Sequence, residues 1–298
     1  MPTLEKLAQK FDVKLAVTQP DRPSGRGMEV IAPPVKRLAQ RLGIPVAQPA
    51  KIKNNAEFRT QLEILKPDAI IVVAYGRIIP QWMIDLPQLG NLNLHGSLLP
   101  KYRGAAPIQW AIANGETTTG VTTMRIDAGL DTGPTLLRRE VAILPDETSI
   151  TLATRLASIG ADLMIETLHG LDARSIKPQP QDDSQATLAP LLKKEDGLID
   201  FSRSAGEIYN RFRGFQPWPG AYTAFRGKNL KIVAMNAGRP KSALAPGEIV
   251  FANDKLLAGC GATTTIEFSE LQPESRKAIS AAEFARGVRL QPGERFGR

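Results

Sequence analysis

The spacing of apolar residues changes along the chain, and the change separates two kinds of structure. Leu4, Leu7 and Phe11 recur at helical spacing behind Pro2-Thr3, and Val13 to Thr18 then reads as a strand. Val35 to Leu42 and Ala56 to Leu65 return to helical spacing. Ala69-Ile70-Ile71-Val72-Val73-Ala74 is an unbroken apolar run stopped by Tyr75-Gly76, the pattern of a strand covered on both faces in a parallel sheet. Leu92 to His95 is a short strand, Trp110 lies in a helical stretch, Gly120 to Ile126 and Thr135 to Ile143 are further strands, and Thr148 to Leu168 is a long helix. Helices alternating with apolar strands predict an α/β domain with a doubly wound, mostly parallel sheet, whose ligands collect at the carboxyl ends of its strands.

Asp172 to Pro190 has no period and is rich in Pro, Gln, Asp and Ser, so it reads as a linker. Beyond it, Ser204-Ala205-Gly206-Glu207 has capping-box spacing before a helix to about Phe212. Tyr222 to Ala237 reads as a hairpin turning at Arg226-Gly227-Lys228, and Gly247 to Leu271 adds short strands. The expected division is an α/β domain over residues 1–185 and a smaller, mainly β, barrel-like C-terminal domain over 186–298.

Composition supports two folded units: 298 residues with 42% hydrophobic and 23% charged content suffice for two cores and argue against disorder. No apolar run reaches the roughly 18 residues of a membrane helix, and the N-terminus lacks a basic-then-apolar leader, so the cytoplasm is the expected compartment and no membrane partner is expected. Charge adds an asymmetry. From Ala186 onward there are 17 Lys and Arg against 11 Asp and Glu, so most of the net +8 lies in the last third. That suits a polyanionic partner, and a scattered soluble surface accounts for it as well. The single cysteine, Cys260, reads as an ordinary strand residue.

The candidate chemistry sits in Asn91-Leu92-Asn93-Leu94-His95-Gly96-Ser97-Leu98-Leu99-Pro100-Lys101-Tyr102-Arg103-Gly104. Asn93 and His95 are two apart on a strand, so both side chains point to one face. Downstream, Asp127-Ala128-Gly129-Leu130-Asp131-Thr132-Gly133-Pro134 sets two carboxylates among glycines. Taken singly, a strand histidine is more often structural and an Asp beside glycines is turn chemistry. His95 is one of only two histidines, and the other, His169, fits a helix C-terminus before Gly170. One histidine and one carboxylate fall short of a metal's usual ligand set, and Ser97 has no spare histidine as base, so neither metal nor covalent catalysis is expected.

Taken together, Asn93 to Gly104, the Gly129-Leu130-Asp131-Thr132-Gly133 turn and Pro217-Trp218-Pro219-Gly220-Ala221 resemble the methionyl-tRNA formyltransferase family across both domains. The resemblance implies an enzyme that moves a formyl group from 10-formyltetrahydrofolate to the amine of initiator methionyl-tRNA, as a monomer. In it, Asn93 donates to the formyl oxygen, His95 supports the same charge, and Asp131 relays the amine proton through water. Folate-binding positions carried over are Tyr75, Gly76, Ile78, Ser97, Leu98, Leu99, Pro100, Asp127 and Gly129. Ile78 is equally readable as a buried helix-entry residue. The loop Thr18 to Gly27, too rich in Gly and Pro for regular structure, resembles the family's tRNA-reading loop and brings Arg22 and Arg26 to the acceptor stem. A flexible basic loop over the folate site is the plainer alternative.

Asn-x-His with a downstream Asp is common to folate-dependent formyltransferases, so it specifies the chemistry more firmly than the acceptor. A nucleotide-sugar amine is the competing acceptor, and a noncatalytic RNA-binding scaffold the competing class. Family members also open with a strand and a Gly-Thr-Pro-type turn ahead of the helix near Pro2. The resemblance therefore leads to the expectation of about 15 preceding residues, enough for one strand and turn.

Overall fold

The computed structural model describes residues 1–24, 29–240 and 243–297. In chain order the elements are α1 (Pro2–Lys10), β1 (Ala16–Val17), β2 (Arg22–Ser24), β3 (Glu29–Ile31), α2 (Pro34–Arg41), β4 (Val46–Ala47), α3 (Ala56–Leu65), β5 (Ile70–Val72), α4 (Gln81–Ile84), β6 (Asn91–His95), α5 (Pro107–Ala113), β7 (Thr118–Arg125), β8 (Thr135–Ala142) and α6 (Ser149–Asp172). They continue with α7 (Ala205–Gly214), β9 (Ala221–Phe225), β10 (Lys228–Pro240), β11 (Ile249–Ala252), β12 (Lys255–Cys260), β13 (Thr264–Pro273), β14 (Ile279–Ser280) and α8 (Ala281–Gly287). Contacts group the chain into two units. One comprises Met1–Pro107, Thr118–Ala142 and Ala153–Pro190, and the other Ile108–Thr117, Ile143–Leu152 and Leu191–Arg298.

In the first unit β1 pairs with β4 in parallel, and β5-β6-β7-β8 forms a second sheet. Its β5–β6 pair is parallel, whereas β6–β7 and β7–β8 are antiparallel. The back of β6 is closed by hydrophobic packing: Leu92 is fully buried with Leu7, Met164 and Leu168. Gly160 permits this approach of α6, because a Cβ there would stand 2.6 Å from a Leu94 methyl. Two strands depart from expectation. The one expected over Val13 to Thr18 is regular only at Ala16–Val17. The apolar run around β5 is only half-buried, with Val73 exposed, because β5 has one paired neighbour, β6, among the described residues.

In the second unit, β11-β12-β13-β10-β9 run in that order with β14 on β13, all antiparallel. The hairpin β9–β10 turns at Arg226 (φ +48°) and Gly227 (φ +72°), a two-residue turn whose positive angles match the strand twist. Residues near the chain's end bridge the sheet's outer strands: Ile249 N–H donates to the Glu294 carbonyl, Phe296 N–H to Gly247, and Gly297 N–H to Ala224. The core holds Phe201, Phe225, Phe268, Phe284 and Phe296. Trp110, on α5, packs edge-on to Phe215 at 5.2 Å, and Arg213 donates to the Leu144 and Glu147 carbonyls at 3.2 and 2.9 Å.

Capping boxes start α7 and α8. Ser204 accepts from Glu207 N–H while Glu207 accepts from Ser204 N–H, and Ser280 and Glu283 repeat the exchange. Hydrogen bonds from the serines hold both glutamates below the ordinary 4.5. A carboxylate that binds its proton less readily when folded contributes stability above its unfolded pKa, and loses it as pH falls through the folded value. Ser204→Ala is expected to destabilise the protein by about 1 kcal/mol. Thermal melts should show the largest deficit at neutral pH and a smaller one as pH falls through Glu207's lowered folded value, where the carboxylate stops accepting from Ser204 while the Glu207 N–H bond to the Ser204 hydroxyl is unaffected by pH.

Candidate active site

β6 carries Asn93 and His95 on one face, opposite Leu94, and sets them against Met124 and Thr122 of β7. Asn91, on the same parity, is buried at 1% exposure, and its amide donates to the Met83 carbonyl, so it belongs to the core. Asn93 is half-buried and His95 is buried. The turn between β7 and β8 brings Asp131 over them. Asp131 Oδ2 lies 3.6 Å from His95 Nδ1 and accepts the Gly104 N–H at 2.8 Å, while Oδ1 lies 3.4 Å from Asn93 Nδ2. The Asp131 side chain keeps 17% of its surface open, against 6% for His95. Of the three residues expected to act together, Asp131 thus meets both Asn93 and His95, with Asn93 and Asp131 partly open to solvent and His95 buried.

The ring of His95 is oriented by its other nitrogen. Nε2 lies 2.9 Å from the Tyr102 carbonyl, which can only accept, so Nε2 carries hydrogen and Nδ1 is the nitrogen that faces Asp131. Asp131 has φ +53°, a left-handed backbone that costs a non-glycine residue roughly 1–3 kcal/mol and persists only where neighbours hold it. Part of that support is local. The Asp127 carboxylate accepts from Gly129 N–H at 3.1 Å and from the Thr132 hydroxyl at 2.8 Å. At Gly133 a Cβ would meet the Arg125 carbonyl oxygen at 1.9 Å, so only glycine closes the turn.

The loop after β6 is built from its own side chains. Ser97 is fully buried, its hydroxyl donates to the Lys101 carbonyl at 2.6 Å, and Thr122 Oγ1 donates to the Ser97 carbonyl at 2.7 Å. Leu99 is buried at 1% exposure, and Leu98 fills the space above Gly120, where a Cβ would stand 2.5 Å from it. Pro100 is half-buried. At Ser97 and Leu99 the side chains are therefore packed inward, and the Leu99 N–H donates to Thr122 Oγ1 at 3.2 Å, so Thr122 holds the loop's backbone from both sides.

The segment after β5 presents apolar side chains to solvent. Ile78 is 90% exposed and Leu130, on the Asp131 turn, 63%; neither is a core residue. Gly76, at φ +71°, lets the backbone turn there. Tyr75 and Ile126 pack against one cluster with Val72 and Ile79. Burial pushes the Tyr75 phenol above its ordinary 10, and its hydroxyl has no partner among the described residues. Gln19 ties this segment to the chain after β1: its amide donates to the Tyr75 carbonyl at 2.9 Å, and Arg77 Nη2 donates to Gln19 Oε1 at 2.7 Å.

Arg22 is exposed on the β2–β3 hairpin opposite Ile31, whereas Arg26 lies outside the described residues. At the hairpin's base Asp21 accepts from Lys36 at 2.6 Å and from Gln48 at 2.7 Å, and the Lys36 bond holds its carboxyl below the usual carboxylate range.

Sequence reasoning passed over the stretch it read as a linker. Gln179 and Thr135 exchange backbone hydrogen bonds at 2.8 Å in each direction, Arg103 N–H donates to the Thr187 carbonyl at 2.8 Å, and Ala189 N–H to the Arg103 carbonyl at 2.7 Å. Residues 179–189 therefore run as a strap joined to the loop after β6 and to the start of β8. No period marks them, because their bonds go to loops far off in sequence.

Residues 2–168 match the family model described as formyl transferase, and residues 191–289 match its C-terminal domain. The methionyl-tRNA formyltransferase of Acidobacterium capsulatum is 59% identical over 298 residues, covering all of this chain and 96% of that protein. That of Koribacter versatilis is 57% identical, with coverage of 100% and 95%. Among solved structures, a sugar 3N-formyl transferase with dTDP and 5-N-formyl-THF superposes with a TM-score of 0.65 at 18% identity, over 93% of this chain and 94% of that one. An N-formyltransferase from Helicobacter canadensis, in complex with folinic acid and dTDP-3-aminofucose, gives 0.67 at 17% identity, over 91% and 94%. At such identities these two show the shared fold.

Proposed function

The chain belongs to the methionyl-tRNA formyltransferase family, and from that premise we propose that it transfers the formyl group of 10-formyltetrahydrofolate to the amine of initiator methionyl-tRNA, using Asn93, His95 and Asp131. The observation that carries this reading is the meeting of those three side chains at the end of β6, with Asn93 and Asp131 open to a substrate.

In the reaction the amine lone pair forms a bond to the formyl carbon and the carbon's bond to N10 of the folate breaks. The amine gives up a proton and N10 gains one, so the exchange balances. Asn93 Nδ2 donates to the formyl oxygen as it takes on charge; a preorganised donor of this kind contributes about 3–4 kcal/mol to the transition state. Asp131 receives the amine proton, directly or through one water. His95, fixed by Tyr102, turns Nδ1 to that carboxylate, so a proton entering the pair is shared and its positive charge lies near the developing oxyanion.

The residues fit a folate. Ile78 and Leu130 offer apolar surface to a flat ring system, and Gly76, at φ +71°, lets the backbone turn beside it. Arg22, Arg26 and the basic C-terminal third suit tRNA phosphates, and we place the enzyme, as a monomer, in the cytoplasm with that substrate. Ile78→Asp is expected to raise KM for the folate by about 10-fold with kcat unchanged, since apolar contact binds ground state and transition state alike.

One assay tests the acceptor. The protein is incubated with 10-formyltetrahydrofolate and charged initiator tRNA, and formylmethionine is measured. Formylation confined to a nucleotide-sugar amine, or tRNA binding without turnover, would overturn the proposal.

A further inference from the structure

We propose that Gln181 is a positioning residue for Asp131, acting as a clamp that fixes the direction of its carboxylate. The inference rests on the catalytic assignment of Asp131 above. Gln181 Nε2 donates to the carbonyl of Asp131 itself at 2.8 Å and to that of Gly133 at 2.7 Å. Its Oε1 accepts from Arg103 Nε at 3.1 Å and Nη2 at 2.9 Å. Carbonyls only accept and a guanidinium only donates, so the partners force one orientation of the amide.

Arg103 is itself firmly held. Its side chain is 7% exposed, Nη2 also reaches Asp183 Oδ1 at 2.7 Å, and its backbone pairs with Thr187 and Ala189 of the strap. The Thr187 hydroxyl accepts the N–H of Tyr102, the residue whose carbonyl orients His95. Gln181 therefore joins the loop that orients His95 to the turn that carries Asp131. Asp131 is left-handed at φ +53°, and the carbonyls on either side of its next peptides are the atoms Gln181 holds. With those carbonyls fixed, the backbone beneath the Asp131 carboxylate is fixed as well, and Oδ2 stays between Gly104 N–H and His95 Nδ1.

Gln181→Glu separates clamp from anchor. The new carboxylate still accepts from Arg103 but has no hydrogen for the Asp131 and Gly133 carbonyls. Steady-state formyl transfer by the full chain is expected to show kcat lowered about 10-fold to 100-fold, with KM for folate within about 2-fold, because displacement of a reacting group by an ångström or less acts on the chemical step. The ratio of variant to parent kcat should rise as pH falls toward the glutamate's titration, where the protonated acid regains a donor. In the Asp131→Asn background, Gln181→Glu should cost nothing further. Thermal melts monitor folding, and Gln181→Leu, which loses both ends, should be less stable than Gln181→Glu.

Parent-like kcat in a folded Gln181→Glu protein, or a full additional loss in the double variant, would overturn the clamp while leaving Asp131's role intact. Parent-like kcat in Asp131→Asn alone would remove both.

Discussion

Asn93→Ala is expected to lower kcat by about 10²-fold to 10³-fold, with KM for both substrates nearly unchanged. The reason lies in where the amide stands. Asn93 is half-buried, and its recorded partner, Asp131 Oδ1, is 3.4 Å away, a long contact that gives the resting protein little. Its value arises when the formyl oxygen becomes charged, so its loss falls on the chemical step and spares the fold. Asn91, two residues earlier, provides the contrast. It is buried and donates to the carbonyls of Met83 and Ile84, so Asn91→Ala should reduce thermal stability without entering the chemistry. Single-turnover rates with saturating donor and charged tRNA, alongside melting temperatures, separate the two effects. Asn93→Ala with parent-like single-turnover rates would sink the oxyanion assignment.

Asp131→Asn should cost about 10²-fold to 10⁴-fold in kcat, the range associated with a lost proton-transfer group. The amide oxygen can still accept from Gly104 N–H, so the turn keeps its closure, but the neutral side chain neither receives the amine proton nor stabilises charge on His95. A variant that kept the rate of the parent would show that the proton leaves by another route.

That Asn93 and His95 share one face was legible in the sequence for a simple reason. A strand's period of two forces Asn93 and His95 to one side whatever surrounds them. The capping box at Ser204-Glu207 follows from equally local geometry, as does the Arg226-Gly227 hairpin turn; the structure adds a second box at Ser280-Glu283 that the sequence reading passed over. Ser97 shows the limit of motif reading. It stands two residues from His95 and resembles a ligand contact, but its hydroxyl is fully buried and turned inward to Lys101. His169 likewise lies inside α6, which runs on to Asp172, and its ring packs on Phe11 at 5.1 Å.

By itself the sequence determined what depends on neighbours along the chain: helix and strand periods, caps, turns, the separate β-rich C-terminal part and the Asn-x-His face. Tertiary structure alone decided what depends on residues brought together from afar. It set Asp131 against both β6 side chains across 38 residues, made a strap of the apparent linker at Gln179 to Ala189, and grouped Ile108–Thr117 and Ile143–Leu152 with the C-terminal unit. Those outcomes rest on hydrogen bonds between loops and on packing between distant segments. Neither leaves a period in the sequence, because partners chosen across space impose no regular spacing along the chain.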